Sequence, residues 1–377
     1  MNTFTSSFGH FNLQRFPVKE KETLRAWDAA DEYILAHLTE INLLTEGSRP
    51  LIINDGFGAL STALASYQPQ SQSDSYISHA ATRYNLESNH INTANVSLLT
   101  SLEQPQSPFN LVIIKAPKSL AMLEDQLHRL KPFIDKKTYI LGAAMAKNIH
   151  NSTLKLFETI LGKTTTSLAK KKARLIFCKP DLELLAKPTP YPARYTIEKH
   201  PATLIKHANV FSQNSLDIGT RFFIDNLPTS DSTKSIVDLG CGDGVVGIIA
   251  AKNHPNAKLF FLDESFMAVE SAKINFQSAY PNRDGEFVVT DCLQGLEKTS
   301  VDLILNNPPF HQQHAVGDHI AWQMFKESLK TLKKDGELWV IGNRHLNYHI
   351  KLKRLFGNCT TVASNNKFAI FKSTKQT

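Results

Sequence analysis

The chain has 377 residues, 42% of them hydrophobic, and its 42 Lys and Arg against 35 Asp and Glu give a net charge of +7 and a pI near 9.0. This length favours two domains with ordinary cores, and no apolar run reaches the roughly 18–20 residues of a membrane-spanning helix. Cys178, Cys241, Cys292 and Cys359 show no metal-ligand spacing, so no metal is expected, and the basic balance leans mildly towards a polyanionic partner.

Residues 1–7 lack a basic segment followed by an apolar core, so a cytoplasmic protein without a secretory leader is expected. Leu24, Trp27, Tyr33, Ile34 and Leu38 recur at helical spacing with acids on the other face, which predicts an amphipathic helix. From Pro50 the chain echoes its own second half. Asn54 falls on Asp238, Gly56 and Gly58 on Gly240 and Gly242, and Leu60 on Gly244. Further on, Ser78 falls on Asp263, Lys115 on Asn307 and Lys118 on Phe310. A duplicated α/β sheet is predicted, with its first copy degenerate. Lysine donates and cannot accept, so the first copy cannot repeat the chemistry of Asn307. Lys115, Lys118 and the run Lys170-Lys171-Lys172 are instead expected to meet RNA phosphates. Strands over 138–143 and 175–178 close this half, and Pro180, Pro188, Pro190 and Pro192 mark a linker. The domains are placed at 1–190 and 191–377.

The second half opens with Phe211, Asp217 and Thr220, candidate secondary contacts to a ligand, although a helix packing on the sheet reads the same. Ser235-Ile236-Val237-Asp238-Leu239 then reads as a strand, and Gly240, Gly242 and Gly244 form a turn into a helix. Glycines there let the backbone approach a ligand and adopt positive φ. Apolar runs at 258–262 and 286–290 end at Asp263 and Asp291. An acid ending the second strand is placed to grip a ribose diol; Asp291 is placed to accept from an adenine amino group. Asp238, Gly240, Gly242, Asp263, Asp291 and Asn307 are therefore the candidate cofactor residues.

A fourth run, Val301-Asp302-Leu303-Ile304-Leu305, leads into Asn306-Asn307-Pro308-Pro309-Phe310-His311. The Asn307 amide oxygen and the Pro308 carbonyl can accept the two N–H bonds of a planar amine. The prolines fix φ and remove competing donors. Phe310 supplies a stacking face for a base, worth roughly 1–3 kcal/mol. Asn307, Pro308 and Phe310 are the candidate catalytic residues. The arrangement resembles the motif of amino-methyltransferases that use S-adenosylmethionine. A helix over 320–332, a strand over 336–342 and a terminal hairpin over 359–372 complete the reading.

Val210-Phe211-Ser212, Leu216-Asp217-Ile218-Gly219-Thr220-Arg221, Asp238-Leu239-Gly240-Cys241-Gly242-Asp243-Gly244, Asn307-Pro308-Pro309-Phe310-His311 and Asn343-Arg344-His345-Leu346 together resemble the bacterial ribosomal-RNA guanine-N2 methyltransferases. Residues 25–32 and the overall length look like the large-subunit branch of that family. The resemblance covers the whole chain and implies two tandem Rossmann-like class I methyltransferase domains, the first degenerate. It also implies S-adenosylmethionine as cofactor, and N2 of a 23S rRNA guanine as target. A monomer is expected. The residues alone leave open a 16S rRNA target, a protein-glutamine methyltransferase, or a non-catalytic RNA-binding assembly factor.

Overall fold

The computed structural model describes residues 3–106, 108–197, 200–210, 216–309 and 316–376. The chain divides into two compact units, Met1–Tyr191 and Pro192–Thr377. The first begins with a hairpin of β1 (Thr3–Ser6) and β2 (Gly9–Asn12), followed by α1 (Ala29–Glu40). Then come β3 (Pro50–Ile53), α2 (Ala59–Ala63), β4 (Gln70–Ser73), α3 (Tyr76–Ser88), β5 (Ser97–Thr100), β6 (Leu111–Lys115), α4 (Leu120–Leu130), β7 (Tyr139–Met145), α5 (Asn151–Ile160), β8 (Thr164–Thr166) and β9 (Ala173–Cys178). The sheet order is β5-β4-β3-β6-β7-β9-β8, parallel up to β7 and antiparallel at β9 and β8.

The second unit opens with the hairpin β10 (Ala193–Ile197) and β11 (His200–Lys206), then α6 (Ile218–Ile224). It continues with β12 (Ser235–Leu239), α7 (Val245–Asn253), β13 (Lys258–Asp263), α8 (Phe266–Ala279), β14 (Gly285–Val289), β15 (Val301–Asn306), α9 (Val316–Thr331), β16 (Leu332–Asn343), α10 (Tyr348–Phe356), β17 (Thr360–Ser364) and β18 (Phe368–Thr374). The order β14-β13-β12-β15-β16-β18-β17 repeats the first sheet strand for strand, with the same antiparallel edge. Helices cover both faces of a sheet like this, so its central strands are mostly apolar. In β12, Ile236 joins one core while Val237 and Leu239 join the other.

The fold class expected from the sequence, two tandem α/β sheets with Rossmann-like strand order, is the one observed. Strand pairing corrects the register of the internal repeat. Ile53 lies opposite Gln72 and Ile114, as Leu239 lies opposite Leu262 and Asn306. Gly58 therefore matches Gly244, and both cap the next helix with φ of +78° and +80°. Asn54 (φ +66°) matches Gly240 (φ +73°), and Ile52 stands where Asp238 does. Ser73 matches Asp263. The matches expected for Asn54 and Ser78 were two and five residues out. Ser78 sits inside α3, where its hydroxyl donates to the Asp55 carbonyl at 2.5 Å. Lys115 does stand where Asn307 stands.

The slip has a cause. Strand β4 reads Gln-Ser-Gln-Ser, with no apolar period to reveal it, yet Ser71, Gln72 and Ser73 are buried. Bonds to distant residues satisfy Ser71 and Gln72: the Ser61 hydroxyl donates to Ser71 at 2.9 Å, and the Gln72 amide donates to the Thr100 and Glu103 carbonyls at 3.0 and 2.8 Å. The first helix also starts later than its periodicity predicts. Asp28 caps it, accepting from the amides of Ala30 and Asp31, while the Asp31 carboxylate accepts from the Asp28 amide. Leu24 is left exposed outside the helix.

Candidate active site

Four parallel strands end side by side along one edge of the second sheet, in the order β14, β13, β12, β15. The order reverses between β12 and β15, the place where open α/β sheets hold ligands. Asp291 lies just beyond β14, Asp263 ends β13, the glycine turn follows β12 and Asn307 follows β15. Asp263 and Asn307 stand at the same level with one strand between them, about 10 Å apart at the usual strand spacing.

The glycine turn divides into two kinds of position. Gly240, Gly242 and Gly244 all have positive φ, at +73°, +55° and +80°. A side-chain carbon on Gly244 would meet Ala272 at 2.8 Å, and one on Gly247 would meet the Phe261 ring at 2.2 Å. Those two glycines serve the packing of α7. Beside Gly240 and Gly242 there is room: the nearest atoms to an added carbon are Met324 Cε at 3.5 Å and Val210 Cγ1 at 3.9 Å. The open side of the turn is where a ligand can lie against bare backbone.

Asp263 faces this turn. It is half-buried, and its carboxylate accepts from the amides of Gly242 and Ser265, each at 3.0 Å. Asp291 is buried and accepts from the side-chain amides of Gln323 at 3.1 Å and Gln294 at 3.2 Å. A carboxylate only accepts, so both acids suit ligand groups that donate. Asp238 is placed differently from Asp263 and Asp291. It lies beneath the turn, buried, accepting from the Gly247 amide at 2.8 Å. Burial, with Asp243 and Asp263 adding to it, lifts its carboxyl well above the usual range. Asp238 helps to build the turn.

At the clamp, the Asn307 amide nitrogen donates to the Thr220 hydroxyl at 2.9 Å, and the Thr220 amide donates to the Asp217 carboxylate, the N-cap of α6. In this arrangement the amide nitrogen is turned to Thr220 and the amide oxygen away from it. That oxygen is buried and has no hydrogen-bond partner among the described residues. A buried acceptor left unpaired costs about 1–3 kcal/mol, and the Asn306 oxygen beside it is likewise without a partner among the described residues. Asn306, fully buried, donates to the Leu239 carbonyl at 2.9 Å and ties β15 to β12 just below. Pro308 is buried. Phe310 and Phe211 lie outside the described residues.

One cluster escaped the sequence reading. Asp243, inside the turn, accepts from the Tyr195 hydroxyl at 2.5 Å and pairs with the buried Lys206 ammonium at 3.5 Å. Burial pushes the Lys206 ammonium down and, with Asp243 beside it, the Tyr195 phenol up. This hairpin locks the turn from a position some forty residues upstream, and no local spacing signals it.

In the first unit the equivalent site is closed. Lys115 Nζ reaches Asp28 at 2.9 Å and Asp31 at 2.5 Å, and its side chain is only 15% exposed. Burial opposes the ammonium, but Asp31 and Asp28 outweigh it and raise its pKa. The expectation that Lys115 meets RNA phosphates is corrected: α1 supplies two carboxylates that take it inward. Lys171 pairs with Glu32 at 2.7 Å, and Lys170 lies over the Tyr33 ring. The triple-lysine run is a hairpin tip, with Lys171 and Lys172 both at positive φ. All three of these lysines and Lys118 are exposed to solvent.

Comparison with known proteins decides the family. Residues 1–182 match the RLMG N-terminal domain, and residues 201–372 match the methyltransferase small domain. The ribosomal RNA large subunit methyltransferase G of Streptomyces avermitilis is 48% identical over 379 residues, covering 99% of each chain. The chain belongs to the ribosomal RNA large subunit methyltransferase G family. The Klebsiella pneumoniae subsp. pneumoniae protein of that family is 51% identical over 368 residues, covering 97% of this chain and 96% of its own. Among solved structures, the T. thermophilus 16S rRNA N2 methyltransferase RsmC, in complex with AdoMet and guanosine, has a TM-score of 0.77 over 100% of this chain and 98% of its own. At 18% identity that likeness shows the fold. The chain is therefore a methyltransferase built on two tandem methyltransferase-like units.

Proposed function

We propose that the second unit uses S-adenosylmethionine to methylate the exocyclic N2 of a guanine in 23S rRNA. The oxygen of Asn307, buried and without a partner among the described residues, carries this reading, because with the amide nitrogen turned to Thr220 it is an acceptor of the kind an incoming amine needs. The large-subunit names of the relatives favour 23S over 16S rRNA.

The residues present fit the cofactor. Asp263 would hold the ribose hydroxyls, Asp291 the adenine amino group, and the open backbone at Gly240 and Gly242 the body of the molecule. Bound there, S-adenosylmethionine supplies a methyl group already activated on its sulfonium. Asn307 Oδ1 and the Pro308 carbonyl accept the two N–H bonds of the guanine amine. This favours a pyramidal nitrogen with its lone pair directed away from both acceptors. Phe310 stacks on the base, which must be unpaired or flipped from its helix to enter. No strong base is required, since the amine sheds its proton to water after transfer. Most of the rate comes from positioning.

The first unit, on this reading, takes no cofactor. Ser73 replaces the ribose acid, and an ion-paired lysine fills the clamp. Its exposed Lys118 and Lys172 add to RNA affinity. The protein works in the cytoplasm as a monomer, one chain supplying all four strand ends. The test is tritiated methyl transfer to rRNA from a strain lacking the gene, followed by nucleoside analysis. N2-methylguanosine in 23S rRNA is expected. Label in 16S rRNA, in protein glutamine, or in no substrate would overturn the assignment.

A further inference from the structure

The charge of this chain is distributed unevenly. Its last acid is Glu337, and residues 338–377 contain seven Lys and Arg and no Asp or Glu. Those seven equal the net charge of +7, so residues 1–337 are formally neutral. A polyanion is attracted to wherever the surplus is exposed.

The fold gathers part of that surplus into a groove. Between α10 and the β17–β18 hairpin lies an open trough of about 780 Å³, lined by Arg344, His345, His349 and Lys353, with Thr361 and Asn366 as neutral donors. The four basic side chains are exposed, and none pairs with a carboxylate among the described residues. This contrasts with Lys115 and Lys171 of the first unit, which acids engage. The groove starts where β16 ends, and β16 runs parallel to β15 as its direct neighbour. Asn306 lies level with Val340, so Asn343 emerges three residues further along the same sheet edge, about 10 Å beyond. Cations therefore begin one strand away from the amine clamp.

We propose that this groove binds the phosphodiester backbone of the RNA strand that carries the target base. The inference deepens the function proposed above and rests on it for the identity of the strand. Arg344 and Lys353 would each contact a phosphate, with Thr361 and Asn366 hydrogen-bonding alongside. Such contacts fix where the strand lies without reading its sequence. They hold the flanking nucleotides while the base enters the clamp.

The experiment uses the full chain with Arg344→Gln and Lys353→Gln combined, and measures binding to unmodified 23S rRNA transcript across a salt series. Losing two single-strand phosphate contacts should lower the salt slope by about 1.4, a roughly 15-fold loss of affinity at about 0.15 M salt. S-adenosylmethionine affinity, measured by calorimetry, should be unchanged and shows that the variant is folded. The charge-keeping pair Arg344→Lys and Lys353→Arg should bind like wild type. A double-Gln variant with wild-type slope and affinity would overturn the groove. So would normal binding to free RNA with activity lost only on assembled subunits, which would assign the face to a ribosomal protein. If the slope falls but wild-type protein transfers no methyl to rRNA, the groove stands and the proposed function fails.

Discussion

Replacing Asn307 by Ala tests the clamp most directly. The substitution removes the unpaired oxygen and leaves Thr220 able to turn its hydroxyl to another partner. In the resting protein that oxygen bonds nothing described, so neither the fold nor the cofactor site should suffer. As the methyl group transfers, the guanine nitrogen becomes positive, and its N–H bond to Asn307 becomes charge-assisted. Such a bond contributes about 1.5–3 kcal/mol. At 1.36 kcal/mol per factor of ten, turnover should fall roughly 10- to 150-fold. Single-turnover transfer of tritiated methyl to rRNA reads the chemical step, and calorimetry reads cofactor affinity separately. A loss of turnover at unchanged cofactor affinity is expected. Turnover within about twofold of wild type would refute the reasoning, since at least about 1.5 kcal/mol is assigned to this contact.

Thr220→Val removes the acceptor that orients the Asn307 amide, and a lost neutral hydrogen bond of about 1 kcal/mol should lower kcat roughly fivefold, with Thr220→Ser restoring it. Steady-state kinetics on rRNA checks both. Asp263→Ala should weaken S-adenosylmethionine by about 1–3 kcal/mol in calorimetry, and Asp291→Ala should act in the same direction more mildly; unchanged affinity in both would remove the strand-end assignment. Lys115→Met strands Asp31 in the first core and should cost about 3–5 kcal/mol of stability in denaturant melts, with no change in RNA salt slope. A lowered slope at full stability would restore Lys115 as an RNA contact.

What the sequence determined by itself was local. Glycines set the turn after β12, an acid ends β13 and another follows β14, and Asn-Pro-Pro follows β15, because each lies within a few residues of the apolar run that positions it. The equivalence of the two halves needed strand pairing. Reading Asn54 against Asp238 matched residue types, whereas backbone position matches Asn54 to Gly240, both at positive φ. Strand β4 was invisible because its polar Ser71 and Gln72 are satisfied by partners about ten to thirty residues distant in the chain. The same is true of Lys115, whose Asp28 and Asp31 partners lie more than eighty residues away. It is true of Asp243, held by Tyr195 and Lys206. A charge read in sequence has a sign and no partner. Only the tertiary structure decides whether it is neutralised in a core, as Lys115 is, or left in solvent beside the site, as Arg344 is.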